Sequence, residues 1–435
     1  MKFLLMSGGG DGLGLGLRLK QEGNDVGVWI KEAPCKPNYD GLLRKVEHID
    51  DFLTPDTTVV FDSNGGGRTA DRLRARGHHV ATGGTFADQL EFDRPLAFEL
   101  MQQGGVRLPV YKEFGSWDKA RAWVKERGKR LAFKPSGDTA KHLGSYLAYD
   151  VDDMLEMFDK WQEEVSGKPD FLLQDFVEGV EISTEGWFNG ERFMRPFNHT
   201  IESKKLMNND LGASYGCAGN VVWTADEVNP VLTQGLLLME DILREHEYLG
   251  PIDLNTICND EGVWGLEFTP RFGYDAMPAL LELFDAPVGD TLAALARKEA
   301  PVRLPMSGSL NTFASALKLS IPPYGSELRA KEGTPIRGFS RADKPHLFFG
   351  DVMLNEKLQL ISTSAYGSLI TITGRGDSIT EAFRGPYELA EKAKIPNKQY
   401  RTDLVEKFVG LRARLDPYLK EEESVAEPAR TSNAA

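Results

Sequence analysis

The start of the chain constrains the fold more than any other stretch. A short apolar run, "KFLLM", passes at once into "SGGGDGLGLGLRLKQEG", and further apolar runs, "DVGVWI" and "TVVFDS", follow with helix-compatible sequence between them. Strands that alternate with helices return to one sheet in parallel, so this segment predicts an α/β lobe. The same glycines cut the first apolar run long before a secretion-signal core or a membrane span is complete. With 435 residues the chain is too long for a single core, and a prior of about 150 residues per domain predicts about three domains.

Charge and cysteine content narrow the function classes. A formal net charge of −14 opposes a phosphate backbone at long range, and no local basic surface offsets it, so nucleic acid is not an expected partner. Cys35, Cys217 and Cys258 are few, odd in number and without CxxC spacing, which predicts idle thiols in a reducing compartment, the cytoplasm, and no disulfide framework or zinc site. The expected partners are small molecules, with the chain a monomer or a homodimer and no membrane attachment.

Composition shifts divide the chain into five expected segments. Residues 1–108 form the parallel lobe, and 109–185 a small α+β lobe around the helix "VDDMLEMFDKWQEEV". Residues 186–304 form a larger lobe with the helix "PVLTQGLLLMEDILREHEY" and a hairpin, "GPIDLNTICND" and "GVWGLEFTP". Residues 305–418 form a separate β-rich lobe ending in the helix "SITEAFRGPYELAEKA", and 419–435 a polar, disordered tail.

Charges set inside apolar strands are the candidates for chemistry. Asp253 and Glu267 lie on the two strands of one hairpin, where pairing can bring both carboxylates to one divalent cation. Hard oxygen ligands of this kind suit magnesium, which usually takes one or two carboxylates plus substrate phosphates. A structural role, with Glu267 bound to Arg271, explains the pair equally well. Lys134 ends an apolar strand before "PSGDTAKHLGS", where glycines and Lys141 can meet polyphosphate oxygens, though an exposed turn with solvated lysines is the commoner meaning of such a loop. Further on, Gln174 offers an amide for an adenine edge, Phe176 and Val177 offer main-chain groups, and Glu181 can bind a ribose hydroxyl.

The order Lys134, Lys141, Gln174 to Val177, Glu181 and Glu267 resembles the ATP-grasp superfamily. More narrowly, "GGTFADQLEFDRPLAFELMQQGGVRLP", "FVEGVEISTEGWFNGE", "GLEFTPRFG" and "GDSITEAFRGPYELAEKAKIPNKQYRTD" resemble the phosphoribosylamine–glycine ligase family, over residue 1 to about 410. The resemblance implies an ATP-grasp fold, α/β and α+β in several domains, with an N-terminal Rossmann-like lobe and a C-terminal β-rich lobe. It implies an ADP-forming ligase that phosphorylates a carboxylate and lets an amine displace the phosphate. ATP and magnesium or manganese are the implied cofactors. Lys134 and Lys141 would then touch phosphates, Gln174, Phe176 and Val177 adenine, Glu181 ribose, and Glu267 with Asp253 and Thr269 the metal. Lys204 and Lys205, in "ESKKLMNNDLGASYGCAG", match the family's phosphate and substrate loop. Arg271 matches an arginine beside the reacting carboxylate, with Asp275, Gly9, Gly10 and Asp11 on the substrate side.

Several loops depart from the family's pattern. Its metal strand reads Glu-Phe-Asn where this one reads Glu267, Phe268, Thr269, and its Pro-Asn-Thr-Gly-Gly-Met stretch is lost. "SGGGDGLGLGLRL" and "DSNGGGRTAD" replace its N-terminal loops, yet glycine turns before a helix can still hold a phosphate through N–H groups, so an anionic or phosphorylated amine remains an expected substrate. Three alternatives stand beside the purine-pathway reaction. They are a diverged ligase acting on another amine, a nucleotide-binding protein without turnover, and a dinucleotide oxidoreductase suggested by Gly-x-Gly-x-x-Gly in "GGGDGLGLG".

Overall fold

A computed structural model describes residues 1–136, 139–165, 167–226, 228–306, 312–326 and 328–420. Strands β1 (Lys2–Ser7), β2 (Asp25–Ile30), β3 (Arg44–Lys45), β4 (Thr57–Phe61) and β5 (His79–Val80) form a parallel sheet in the order β3-β2-β1-β4-β5. β1 is buried along almost its whole length, as a strand covered on both faces must be, which is why it reads as unbroken apolar sequence. Helices α1 (Leu13–Gln21) and α2 (Gly67–Ala75) follow β1 and β4, and α3 (Thr85–Phe92) and α4 (Arg94–Gly104) lead away. Asp93 caps α4 through the Leu96 N–H, and Gly105, in a left-handed conformation, stops it.

β6 (Tyr111–Phe114), β7 (Leu131–Pro135), β8 (Tyr146–Leu147) and β9 (Phe171–Asp175) form a second, antiparallel sheet in the order β6-β9-β7-β8. The helices Trp117–Arg127 and Val151–Glu164 cover one face, where Trp117, Phe133, Phe158, Trp161 and Phe171 pack as one aromatic cluster. Such ring pairs add about 0.5–1.5 kcal/mol each beyond area burial.

The third sheet holds β10 (Val180–Asn189), β11 (Phe193–Met207), β12 (Leu211–Ala225), β13 (Leu249–Asn259), β14 (Gly262–Thr269), β15 (Phe313–Ser320), β16 (Leu347–Phe349) and, last in sequence, β19 (Ser368–Gly376). A separate ribbon pairs β17 (Val352–Leu354) with β18 (Leu360–Ser362). The order of the large sheet is β14-β13-β10-β11-β12-β15-β19-β16, so strands beyond residue 305 continue it through the β12–β15 pairing instead of standing apart. The boundary expected at 185 falls inside β10, which pairs along its whole length with β13.

Two helical expectations change. The segment 230–248 breaks into helices Pro230–Thr233 and Glu240–Glu245 joined by a 3-10 turn. Gly235 sits at φ −126°, ψ −117°, outside helical space, and a Cβ there would lie 2.5 Å from the Val231 carbonyl oxygen. A final helix, Leu404–Leu419, follows the "YRTD" run. Arg401 of that run is 1% exposed and binds Asp403, Asp210 and the Ser203 hydroxyl, tying the C-terminal segment to the β11–β12 hairpin. The tail expected to be disordered lies, from residue 421, outside the described residues.

Candidate functional site

Side-chain alternation decides what the two antiparallel sheets present to each other. In the four-stranded sheet Leu131, Phe133, Phe171 and Leu173 point into the aromatic core. Ala132, Lys134, Leu172 and Gln174, paired across β7 and β9, therefore take the opposite face. That face meets β14, where the Lys134 ammonium donates to the Leu266 carbonyl at 3.4 Å. Burial lowers the Lys134 pKa to about 8, partly opposed by the Glu267 carboxylate. Gln174 is 1% exposed, and its Nε2 has no hydrogen-bond partner among the described residues.

Glu267 stands opposite Asn255 in the hairpin register, and Asp253 opposite Thr269, so all four share one face. The ion-pair partner of Glu267 is Arg94 on α4, whose Nη1 donates to Oε2 at 3.1 Å. Arg271, expected there, instead grips Glu91 through Nε and Nη2 at 3.0–3.2 Å and stacks over the Tyr274 ring at 4.0 Å. Burial would raise the Glu267 carboxyl, but Lys134, Arg94 and Lys204 more than offset that and hold it at about 2. Its side chain keeps 42% of its surface exposed, so the charge faces an open cleft.

Lys204 bonds Glu181 across β11 and β10 at 2.5 Å. Burial opposes its charge, yet Glu181, Glu202 and Glu267 keep its pKa above the usual lysine range. Lys205 donates to the Gly212 carbonyl at 3.2 Å, within its own hairpin. The Phe176 N–H is taken by the Arg130 carbonyl at 3.0 Å, with the Arg130 guanidinium over its ring, leaving neighbouring Val177 beside the cleft strand. The Lys141 side chain lies outside the described residues.

Behind this row lie acids with little compensation. Burial pushes Glu185 and Glu202 up to about 7. Burial, with Glu185 and Glu202 nearby, pushes Asp253 well above the carboxylate range, and its Oδ1 is a buried orphan. Among the described residues no three His, Cys, Asp or Glu side chains form a group able to hold a metal alone.

Gly9, Gly10, Asp11 and Asp275 line a separate cavity of about 310 Å³ at the carboxyl end of β1, closed by β15, β16 and β19. Such strand ends are where open α/β sheets bind ligands. Lys318 on β15 enters it and bonds Asp275 at 2.6 Å. Three N–H groups of the glycine turn are engaged within the chain, that of Gly10 by the Ser7 hydroxyl at 2.8 Å and those of Gly8 and Gly12 by Asp62. Gly8 and Gly12 donate to the Asp62 carboxylate at 3.3 and 2.8 Å, and a Cβ on Gly12 would lie 2.3 Å from that of Asp62. The pyrophosphate cradle of a dinucleotide fold is thus filled from within.

Arg94, Glu91, Asp62, Glu202 and Lys318 were absent from the sequence reading. Lys318, alone among apolar residues in "ASALKLS", and Asp62, at the end of "TVVFDS", carry the signal that marked Glu267. Arg94 follows a helix cap, where a charge is ordinary, and meets Glu267 only across 173 residues of chain. Cys35, Cys217 and Cys258 are free and buried, and among the described residues no helix is long and apolar enough to cross a membrane.

No family model matches the chain. It is 22% identical over 442 residues to the phosphoribosylamine–glycine ligase of Neisseria meningitidis, across 94% of this chain and 100% of that protein. With the Streptococcus pneumoniae R6 enzyme of that name it is 25% identical over 346 residues, 74% of this chain and 77% of the relative. The crystal structure of the Thermotoga maritima phosphoribosylamine–glycine ligase superposes with a TM-score of 0.72 at 19% identity, across 93% of this chain and 100% of that one. The biotin carboxylase domain of Hydrogenobacter thermophilus 2-oxoglutarate carboxylase, solved with MgADP and bicarbonate, gives 0.63 at 14% identity, covering 97% and 96%.

Proposed function

We propose that the chain, a distant homologue of the phosphoribosylamine–glycine ligases over nearly its full length and built on the ATP-grasp fold, is an ADP-forming carboxylate–amine ligase of the cytoplasm. The observation that carries this reading is the meeting of Lys134, Lys204, Arg94 and Glu267 in a cleft between two antiparallel sheets. Three cations around one exposed carboxylate suit a polyphosphate with its counter-ion. The orphaned Gln174 amide and Val177 suit adenine, and Glu181 a ribose hydroxyl.

Ionised Glu267, the Thr269 hydroxyl and the orphaned Asp253 oxygen fit a magnesium or manganese ion that completes its shell from phosphate oxygens. Such an ion neutralises charge on transferring phosphoryl oxygens. Arg94 holds Glu267 by Oε2 only, which leaves Oε1 for the ion. Lys134 and Lys204 keep the phosphate chain in line, and the small sheet over the cleft excludes water from the acyl phosphate. Lys141 is assigned to the same phosphate chain on the resemblance alone. Arg271, fixed by Glu91 and Tyr274, orients the reacting carboxylate. Lys205, which donates to the Gly212 carbonyl within its hairpin, is the second lysine assigned to this loop.

Glycine with phosphoribosylamine, or a related amine, is the substrate pair this homology supports. The test is ADP release with that pair against a panel of other amino acids and amines. Turnover with some pair, and its loss by about 100-fold or more in Glu267→Gln, is the expected outcome. Full activity in that variant refutes the metal role.

A further inference from the structure

This inference rests on the ligase reading and concerns the amine. Three sets of main-chain N–H groups, two at the cavity and one beside the smaller adjoining cavity that Gly65 lines, are of the kind that binds phosphate. Each is already bound to a carboxylate of this chain. Asp62 takes the N–H groups of Gly8 and Gly12, as described. Asp88 on α3 takes those of Gly65 and Gly67, both at 2.8 Å, at the start of α2. Asp351 takes those of Tyr366, Gly367 and Ser368 on one oxygen, at 2.9, 2.9 and 3.1 Å.

The remaining wall is negative as well. Asp11 and Glu32 line the cavity with Asp62, Asp275 and Asp351, against the single ammonium of Lys318, which Asp275 already engages. Lys31 lies in a smaller adjoining cavity and is exposed. Burial, then the neighbouring Asp62, raises Asp11 to about 7, although much of its side chain faces open space, where water tempers the shift. A phosphoryl group entering here meets five carboxyl groups, and the N–H groups of Gly8, Gly12, Tyr366, Gly367 and Ser368 are already taken by two of them.

We propose that this cavity binds an amine that carries positive charge and no phosphate group. Asp11 and Glu32 then receive the cation, and Asp62 and Asp351 hold N–H groups that a phosphate would otherwise use. The departures in "SGGGDGLGLGLRL" and "DSNGGGRTAD" become one change of substrate class.

The test is titration calorimetry on the full chain with glucosamine and glucosamine 6-phosphate, a pair differing only in the phosphate, and with spermidine as a second cation. Glucosamine or spermidine binding at least about tenfold tighter than the 6-phosphate is expected from like-charge repulsion. Asp11→Asn and, separately, Glu32→Gln should weaken the amine about tenfold while the melting curve stays cooperative. Equal or tighter binding of the 6-phosphate, no binding of either unphosphorylated amine, or unchanged affinity in both folded variants overturns the proposal. A parallel ATP titration separates the two readings. Loss of ATP binding alone sinks the ligase, and reversed amine preference with ATP retained sinks this inference.

Discussion

At the scale of the residue, the site works by unequal compensation among buried charges. Glu267, surrounded by Lys134, Arg94 and Lys204, is held ionised, whereas Glu185, only 4% exposed, has the Trp187 indole N–H at 3.0 Å as its side-chain partner. Glu185 binds its proton up to about 7 when folded against 4.5 as the ordinary value. The folded state thus holds the extra proton across that window, and stability falls as pH rises from 4.5 through about 7. Glu185→Gln removes the penalty, so it should gain on the parent by about 1–3 kcal/mol at alkaline pH and by nothing in acid, read from urea midpoints. A pH-independent difference contradicts this. Glu267 has the opposite sign: its contribution is complete above 4.5 and disappears as pH falls through about 2, and its partial exposure keeps it small. The charges legible in sequence were those interrupting an apolar strand. Asp88 and Asp351 were not, because a carboxylate on a helix or in a turn is ordinary until the N–H groups it receives are known.

At the scale of the element, the β11–β12 hairpin connects the cleft between the sheets to the C-terminal segment. It carries Lys204 on one strand, and Arg401 ties its tip through Asp210 and Ser203. Arg401 is buried but Asp210 is half-exposed and keeps Lys407, so Arg401→Ala should cost about 1–3 kcal/mol, from lost charge-assisted hydrogen bonds. ATP affinity should weaken with it, measured on folded protein below the melting transition, and an unchanged ATP affinity would limit Arg401 to stability alone. Elements with strong periodicity, the helices 151–164 and 379–392 among them, were legible from spacing. The helix Leu404–Leu419 was not recognised, and Gly235 broke a segment whose apolar content alone argued for one long helix.

At the scale of the whole molecule, pairing among distant strands was beyond the sequence. Composition changes near residue 305, yet β15 pairs with β12 and the sheet runs on. Register explains why: on one face Val222 shares a core with Ala314 and Ala316, and on the other Val221 and Trp223 share one with Phe313, Leu317 and Leu319. The cleft between the small and large sheets predicts cooperative tightening by nucleotide. With magnesium present, ATP at about 100 times its Kd should add about 2.7 kcal/mol to unfolding free energy. Slowed hydrogen exchange in both β7 and β14 should accompany it, and protection confined to one sheet would place the nucleotide elsewhere.

The unbroken eight-stranded sheet has a consequence for engineering. Lys204, in the proposed nucleotide cleft, and Lys318, in the proposed amine cavity, stand on β11 and β15, separated only by β12, so one sheet fixes the spacing between the two proposed sites. Grafting a new amine pocket onto this scaffold therefore demands that the strand register be kept. A one-residue slip in β12 would turn Val221, Val222 and Trp223 to the wrong faces and break the cores on both sides of the sheet.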